Sequence, residues 1–231
     1  MISVIIPVFN HAHTMRQCLR SIEKQTYRPL EVIVVNDGST DNFAIEIDKI
    51  KKEISLPIIM LNQKNSGGPA ARNRGFRESK GDMIVFWDAD VVAVPTMLEK
   101  MHQALLENPN ASYAYSRFKF GWKTIRSLPF DTDQLRRVNY ITATSLIRRA
   151  DFPGWDESLK RFQDWDLWLT MLAQNKTGVF VPEILFRAEV GGRAGISKWL
   201  PSFVYRLPFK IKAVREYESA RAVIAKKHHL S

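Results

Sequence analysis

The chain has 231 residues, of which 45% are hydrophobic and 25% charged, and its formal net charge is +10. This length and composition exclude a disordered chain and allow one large globular domain, or a domain with a tail. The single cysteine, Cys18, excludes a disulfide framework and a cysteine-based metal site, while the positive charge indicates an anionic partner.

Neither a membrane span nor a secretory signal is visible in the sequence. No apolar run approaches the roughly 18 residues that a span requires. Residues 1–7 lack the basic stretch that opens a signal peptide. We therefore expect a soluble cytoplasmic chain, with contact to a membrane only from the cytoplasmic side.

The first half of the sequence alternates short apolar runs with amphipathic stretches. Runs at residues 2–8, 30–35, 57–61 and 83–87 predict four buried strands. Apolar side chains recur at helical spacing after the first, second and fourth runs, and Pro69 marks a helix start after the third. This alternation predicts an α/β fold whose mostly parallel sheet is flanked by helices.

The second half is less regular. Residues 111–118 and 122–125 flank Gly121 and predict a β-hairpin. Residues 140–147 predict a further strand, and residues 164–172 predict a helix rich in Trp and Leu. We expect this half to form a smaller, mixed region beside the parallel sheet.

The last part of the sequence is basic and aromatic from Lys198 onward, and its apolar residues form a rough helical stripe. Aromatic residues beside cations suit the headgroup layer of an anionic membrane. The stripe equally suits packing on the rest of this chain or on a partner subunit. We divide the chain into a domain at residues 1–190, with halves 1–110 and 111–190, and a helical tail at residues 191–231.

Small, polar and acidic residues follow each of the four predicted strands. Asn10 follows the first, residues 36–39 the second, residues 65–69 the third, and Asp88 and Asp90 the fourth. Because ligands of an open parallel sheet bind outside the carboxyl ends of its strands, we expect these residues to line one cleft. Two carboxylates two positions apart can face one ligand and suit Mg²⁺ or Mn²⁺ bound to phosphate oxygens.

Five motifs in a fixed order resemble those of glycosyltransferase family 2, whose members have the GT-A fold. The resemblance covers about residues 2–190. The motifs are SVIIPVFN at 3–10, VVNDGSTD at 34–41, GGPAARNRG at 67–75, DAD at 88–90, and WDE at 155–157 with QDWDLWL at 163–169. The resemblance implies a Rossmann-like sheet with a smaller acceptor-side region and an inverting transfer from a nucleotide-diphospho-sugar.

The resemblance implies donor-binding roles for residues of the predicted cleft. Pro7 and Phe9 correspond to positions that pack against the base and ribose, and Asp37 to the carboxylate that hydrogen-bonds the base. Arg72 corresponds to an arginine near the base and diphosphate, and Asp88 to the carboxylate at the ribose. The full predicted set is Pro7, Phe9, Asn10, Asp37, Gly68, Arg72 and Asp88.

The resemblance also implies a metal site and a catalytic base. Asp90 corresponds to the metal ligand, with Asp88 sharing the ion and Glu189 as a further candidate ligand. Asp164 corresponds to the aspartate that takes the proton from the acceptor hydroxyl as general base. Gln163 stands where family members commonly have glutamate, a difference that bears on acceptor contacts.

These implications together predict a Mn²⁺- or Mg²⁺-dependent glycosyltransferase of cell-envelope polysaccharide biosynthesis. The donor is a nucleotide-diphospho-sugar, with a UDP-sugar favoured, and the acceptor is a hydroxyl of a glycan or a lipid-linked acceptor. The five histidines show no ligand spacing, and we expect them at the surface or in the tail.

Two other functions remain as alternatives. A nucleotidyltransferase shares the sheet and the metal, but it normally opens with a Gly-rich basic loop that residues 7–11 do not form. A non-catalytic nucleotide-sugar-binding module is the other, although loss of Asp90 or Asp164 would be expected in it. Scattered basic residues without a recognition motif argue against nucleic acid as a partner.

Overall fold

The computed structural model describes residues 1–125, 127–189 and 212–230. The strands are β1 (Ile2–Val8), β2 (Leu30–Asp37), β3 (Ile58–Gln63), β4 (Met83–Phe86), β5 (Val91–Ala93), β6 (Ala111–Phe120), β7 (Lys123–Ile125), β8 (Leu146–Arg148) and β9 (Thr177–Ala188). The helices are α1 (Ala12–Glu23), α2 (Phe43–Glu53), α3 (Gly68–Glu78), α4 (Met97–Glu107), α5 (Thr132–Arg137), α6 (Gln163–Ala173) and α7 (Lys212–Lys227).

The strands form one sheet in the order β3-β2-β1-β4-β8-β6-β9-β5, with β7 added to β6. Strands β3, β2, β1 and β4 are all parallel. Beyond β4 the pairing is mixed, since β8 is antiparallel to both β4 and β6 while β6 and β9 run parallel. The parallel sheet predicted for the first half and the mixed region predicted for the second half are therefore confirmed.

Alternate residues of the central strands enter two separate cores, one on each face of the sheet. Val4 and Ile6 pack with the apolar sides of α1, α2 and α4. Ile5 packs on the other face with residues of α3, α5, α6 and α7. Gly75 permits the approach of α3, because a Cβ there would lie 2.4 Å from Cγ2 of Ile5. Burial on both faces explains why these strands appear in the sequence as continuous apolar runs.

The strand predicted at residues 140–147 is wrong in extent, since β8 covers only Leu146–Arg148. Residues 140–145, before β8, are held by side-chain hydrogen bonds and do not pair with a neighbouring strand. Trp168 Nε1 donates a hydrogen bond to the Ile141 carbonyl at 2.9 Å, and the Tyr140 hydroxyl accepts one from the Asp131 N–H at 3.0 Å. The predicted hairpin and the Trp-rich helix are confirmed as β6–β7 and α6.

The described part of the predicted tail, helix α7, packs on the domain itself. Val214 and Ile224 are fully buried, and Ile224 belongs to the second core. The aromatic segment before the helix lies outside the described residues. Across the described parts of the chain, no helix combines the length and apolarity needed to cross a bilayer.

Candidate active site

The end of β1 is tied to the loop after β2 by Asn10. This residue has a left-handed backbone with φ of 57°, which Asn tolerates better than most residues. Its Oδ1 accepts hydrogen bonds from the N–H groups of Thr40 at 2.8 Å and Asp41 at 3.2 Å, and its own N–H donates to Ser39 Oγ at 3.1 Å. The side-chain oxygen of Asn10 therefore fixes the loop after β2 relative to the end of β1.

The last residue of β2, Asp37, holds the glycine-rich loop before α3. Its Oδ1 accepts from Gln63 Nε2 and from the Ser66 N–H, both at 2.8 Å, and its Oδ2 accepts from the Gly67 N–H at 2.9 Å. The residue is 2% exposed. A carboxylate has about four acceptor positions, so these three bonds leave about one for a ligand.

Arg72, on α3, connects three motifs that are far apart in the sequence. Its Nη2 donates to Asp88 Oδ1 at 2.7 Å and its Nη1 to Gln163 Oε1 at 3.3 Å. The guanidinium carbon lies 4.8 Å from the centroid of the Trp155 ring, within the range of a cation–π contact. A Cβ at Gly68 would lie 3.3 Å from Arg72 Nη1, so a glycine here leaves room for the guanidinium.

Three acidic residues gather where β4 ends. Asp90 follows Asp88 by two positions, and the Glu189 N–H donates to the Asp90 carbonyl at 3.0 Å. Burial, together with the negative charges of Asp88 and Glu189, raises the pKa of Asp90 to about 7, against smaller lowerings by a backbone hydrogen bond and by Arg72. Crowded carboxylates in a partly buried site are stabilised by a cation, so this donor set fits a hard divalent metal ion.

The carboxylates do not enclose an ion by themselves. Within residues 1–125, 127–189 and 212–230, no three His, Cys, Asp or Glu side chains converge as a complete ligand set. Mg²⁺ in phosphate-transfer sites is commonly held by one or two carboxylates together with substrate phosphates and water. Asp88 and Asp90 match that incomplete arrangement.

Asp164 lies in the first turn of α6, after Phe162, whose backbone is left-handed with φ of 58°. Its Oδ1 accepts from the Trp165 N–H at 3.0 Å, and the Asn139 side chain also hydrogen-bonds to it. Burial raises the pKa of Asp164, although both hydrogen bonds and the charge of Arg72 lower it. The negative charge of Asp88 also raises the pKa of Asp164. Asp164, Arg72 and Asp88 therefore interact electrostatically as one cluster.

The structure thus brings the predicted residues to one edge of the sheet. Arg72, Asp88, Asp90 and Asp164 are coupled by charge or hydrogen bonds, and Glu189 adjoins Asp90. The other predicted residues lie at the same edge: Pro7 near the end of β1, Phe9 and Asn10 directly after it, Asp37 at the end of β2, and Gly68 at the start of α3, beside Arg72.

Several residues that border the site were not predicted. Asn73 binds both the N–H and the carbonyl of Trp155 at 2.9 Å, and so fixes the ring beneath Arg72. The one feature of the sequence that could have indicated Asn73 is its position within the motif at residues 67–75. No pattern in the sequence marks Asn139, which reaches Asp164 from the loop after α5.

The expectation of surface or tail histidines is wrong at His11, whereas His228 lies in the tail, as expected. His11 Nδ1 is buried without a hydrogen-bond partner in the described structure. Burial lowers the pKa of His11, helped by His13 and opposed by Asp88, which places this ring beside the carboxylates. The His228 side chain is 9% exposed and bonds to Asp166.

The sequence profile of Glycosyl transferase family 2 matches residues 3–155. The chain belongs to this family. It is similar to the uncharacterized glycosyltransferase YibD of Escherichia coli, with 36% identity over 64% of this chain and 43% of that protein. It is also 28% identical to an uncharacterized glycosyltransferase of Haemophilus influenzae, over 75% of this chain and 63% of that protein. The chain therefore spans less than two thirds of these relatives.

Solved structures show the same fold at low sequence identity. S. aureus TarS 1-349 in complex with UDP-GlcNAc superposes with a TM-score of 0.72 and 19% identity, over 98% of this chain and 66% of that chain. The mannosyltransferase PcManGT from Pyrobaculum calidifontis, in complex with GDP-Man and Mn²⁺, superposes with a TM-score of 0.66 and 19% identity, over 84% of this chain and 58% of that chain. The predicted GT-A fold is confirmed.

Proposed function

We propose that this chain is an inverting glycosyltransferase that moves a sugar from a nucleotide-diphospho-sugar to a hydroxyl of a glycan or lipid-linked acceptor. A UDP-sugar is the favoured donor, and the solved TarS complex with UDP-GlcNAc supports that choice. The observation that carries the proposal is the coupling of Arg72, Asp88, Asp90 and Asp164 at the carboxyl edge of the sheet. Membership of the family supports transfer, as distinct from binding alone.

The donor's nucleotide would occupy the part of the cleft formed by β1, β2 and the start of α3. Pro7 and Phe9 are partly buried and offer apolar surface to the base and ribose. Asp37 has about one acceptor position left, which suits a single hydrogen bond from the base. The close packing of Gly68 on Arg72 lets the backbone approach the diphosphate.

Two features would balance the charge of the diphosphate: the cation of Arg72 and a metal ion held by the carboxylates after β4. Arg72 is a fixed cation in the first turns of α3, where the helix dipole also favours an anion. Asp88 and Asp90 would hold Mn²⁺ or Mg²⁺, with Glu189 as a candidate third ligand. A bound divalent ion would neutralise charge on the departing nucleoside diphosphate. The PcManGT complex with Mn²⁺ supports this assignment.

Asp164 would act as the general base on the acceptor side. The acceptor oxygen forms a bond to the anomeric carbon, the bond from that carbon to the diphosphate oxygen breaks, and the hydroxyl proton passes to Asp164. One displacement of this kind inverts the configuration of the anomeric carbon. The raised pKa of Asp164 brings this carboxylate nearer to the basicity that proton transfer at neutral pH requires.

The donor is identified by thermal stabilisation with a panel of UDP-, GDP- and dTDP-sugars in the presence of Mn²⁺. We expect one nucleotide class to raise the melting temperature, because a ligand at 100 times its Kd stabilises the folded state by about 2.7 kcal/mol. The donor that stabilises the protein is then incubated with candidate acceptors, and the anomeric configuration of the product is determined by NMR. Retention of configuration would contradict the single displacement.

Asp37→Asn is the matched variant for this panel. It keeps the volume but removes one carboxylate oxygen from the loop and from the base, so stabilisation by the nucleotide should fall. Equal stabilisation of the variant and the unchanged protein would show that the nucleotide's base does not bind Asp37. Release of pyrophosphate from a nucleoside triphosphate and a sugar 1-phosphate, with no nucleoside diphosphate released from the nucleotide-sugar, would identify a nucleotidyltransferase. Binding without any product would identify a binding module.

We also propose that helix α7 brings the enzyme to the cytoplasmic face of an anionic membrane, where a lipid-linked acceptor would lie. Lys212 and Arg215 are exposed on the helix while Val214 packs inward. Truncation of the tail would remove Ile224 from the core, so a Lys212→Glu/Arg215→Glu double variant is the cleaner test. Each basic residue contributes about 1 kcal/mol near an anionic surface.

In a sedimentation assay we expect the unchanged protein to pellet with anionic vesicles and the double variant to stay in the supernatant. Vesicles of neutral lipid should retain neither protein. Equal recovery of both proteins in the supernatant with anionic vesicles would contradict membrane binding through α7.

A further inference from the structure

The end of helix α7 holds a buried carboxylate of helix α6. Lys227 Nζ lies 2.9 Å from Asp166 Oδ2, and His228 Nε2 lies 2.7 Å from Asp166 Oδ1. The Asp166 side chain is only 4% exposed. Two consecutive residues of the C-terminal segment therefore bind both oxygens of one carboxylate, as a buried charge requires.

Asp166 lies two residues after Asp164, in the same first turn of α6. The Asp166 N–H donates to the carbonyl of Phe162 at 2.9 Å, which closes this turn. The Phe162 ring packs edge-on against Tyr217 of α7, with a centroid distance of 5.1 Å. Helix α7 and the residue after it therefore contact Phe162, directly before the Gln163-Asp164 pair, and Asp166, two residues after Asp164.

Lys227 also reaches the segment that lies under the donor-side cation. Its Nζ lies 2.6 Å from Asp156 Oδ2, and the neighbouring residue Trp155 packs under Arg72. Burial lowers the pKa of Lys227, but its hydrogen bonds with Asp156 and Asp166 raise it more, so the ammonium stays charged. One ammonium thus joins the loop beneath Arg72 to the helix that carries Asp164.

We propose that helix α7 is a positioning element for the catalytic base, in which Lys227 and His228 hold Asp166 and thereby fix Asp164 relative to Arg72. This inference rests on the proposed role of Asp164. Lys227 and His228 do not touch the reacting atoms; they act through the first turn of α6. Because transfer depends on the placement of the base, an error of about 1 Å can lower the rate by about 10²-fold.

The test replaces Lys227 and follows both catalysis and local order. Lys227→Met keeps most of the side-chain length and removes the charge, whereas Lys227→Arg keeps the charge. Lys226→Met is the matched control, because Lys226 is the adjacent, exposed lysine of the same helix. For each protein the assay measures kcat, the donor Kd, and the hydrogen exchange of backbone amides at residues 163–166 and in β1.

In Lys227→Met we expect kcat to fall by about 10- to 100-fold with the donor Kd changed by less than about twofold. Exchange at residues 163–166 should become faster, while exchange in β1 stays as in the unchanged protein. Lys227→Arg should recover most of the lost kcat, and Lys226→Met should match the unchanged protein. If Lys227→Met does not fold, His228→Ala removes only one of the two contacts with Asp166 and serves in its place.

Unchanged kcat in Lys227→Met and in His228→Ala would overturn the proposal. So would faster exchange in β1 as well as in α6, since that result assigns α7 a role in global stability only. If the unchanged protein transfers no sugar but Lys227→Met still loosens residues 163–166 alone, the structural coupling stands and the proposed function is the part that fails.

Discussion

The Asp164→Asn variant is expected to lose a factor of about 10²–10⁴ in kcat while it binds the donor with unchanged affinity. The amide keeps the shape of the side chain but cannot take a proton from the acceptor hydroxyl. Its oxygen can still accept the hydrogen bonds that Trp165 and Asn139 give to Asp164. The measurement is kcat at saturating acceptor, together with the donor Kd from calorimetry.

The pH dependence provides an independent check on the same residue. A base works in its deprotonated form, so kcat should fall as the pH drops through the pKa of Asp164. Burial raises that pKa, and the fall should therefore occur above the range of an ordinary aspartate, whose pKa is about 3.9. The acidic decline assigned to Asp164 should be absent from the residual activity of Asp164→Asn.

Asp133→Asn is the control for this substitution. Asp133 also lies in the first turn of a helix, but its side chain is 75% exposed and pairs with Arg136 on the same helix. We expect its kcat to stay within about twofold of the unchanged protein. If Asp164→Asn also turns over within about threefold, the base is another residue.

The parallel half of the fold could be predicted because its strands are buried on both faces. The run at residues 2–8 is apolar throughout, since alternate side chains enter separate cores. The apolar side chains of Tyr140, Ile141 and Ala143 are buried for a different reason. They pack with residues of α6 in the second core, and the Ile141 carbonyl accepts a hydrogen bond from Trp168 instead of from a neighbouring strand. Composition alone does not distinguish these two environments.

The candidate site was predictable to the extent that it depends on strand ends and motifs. Asp37 ends β2, and Asp88 and Asp90 come shortly after β4, so the topology of the sheet places them at one edge. The contacts of Asp166 with Lys227 and His228 join residues 61 and 62 positions apart and arise from tertiary packing. A short polar pair near the end of a helix carries no local sign of such a partner.

The partner of Gln163 was also invisible in the sequence. Its Oε1 accepts from Arg72, and its Nε2 donates to the carbonyl of Leu159 at 3.0 Å. A glutamate at this position would offer Arg72 a full negative charge and could not donate to Leu159. The neutral amide of Gln163 therefore orients Arg72 without neutralising it. The positive charge of Arg72 stays available to Asp88 and to an anionic ligand.

The Asp90→Asn variant is expected to lose at least about 10³-fold in kcat/KM, equivalent to roughly 4 kcal/mol of transition-state stabilisation. Asn has nearly the same volume but supplies a weaker, neutral oxygen ligand. Treatment of the unchanged protein with EDTA should abolish turnover, and added Mn²⁺ should restore it. Binding of Mn²⁺, followed by electron paramagnetic resonance, should weaken in Asp90→Asn even without a donor present.

Asp82→Asn is the matched control, because Asp82 precedes the same strand, β4, at its opposite end. Its side chain is 87% exposed and pairs with the N-terminal amine, far along the strand from the cleft. This variant should keep its activity and its affinity for Mn²⁺. Full turnover of Asp90→Asn in excess EDTA would remove the metal from the mechanism. The charge on the departing diphosphate would then have to be balanced by Arg72, and Arg72→Gln would become the variant with the largest loss.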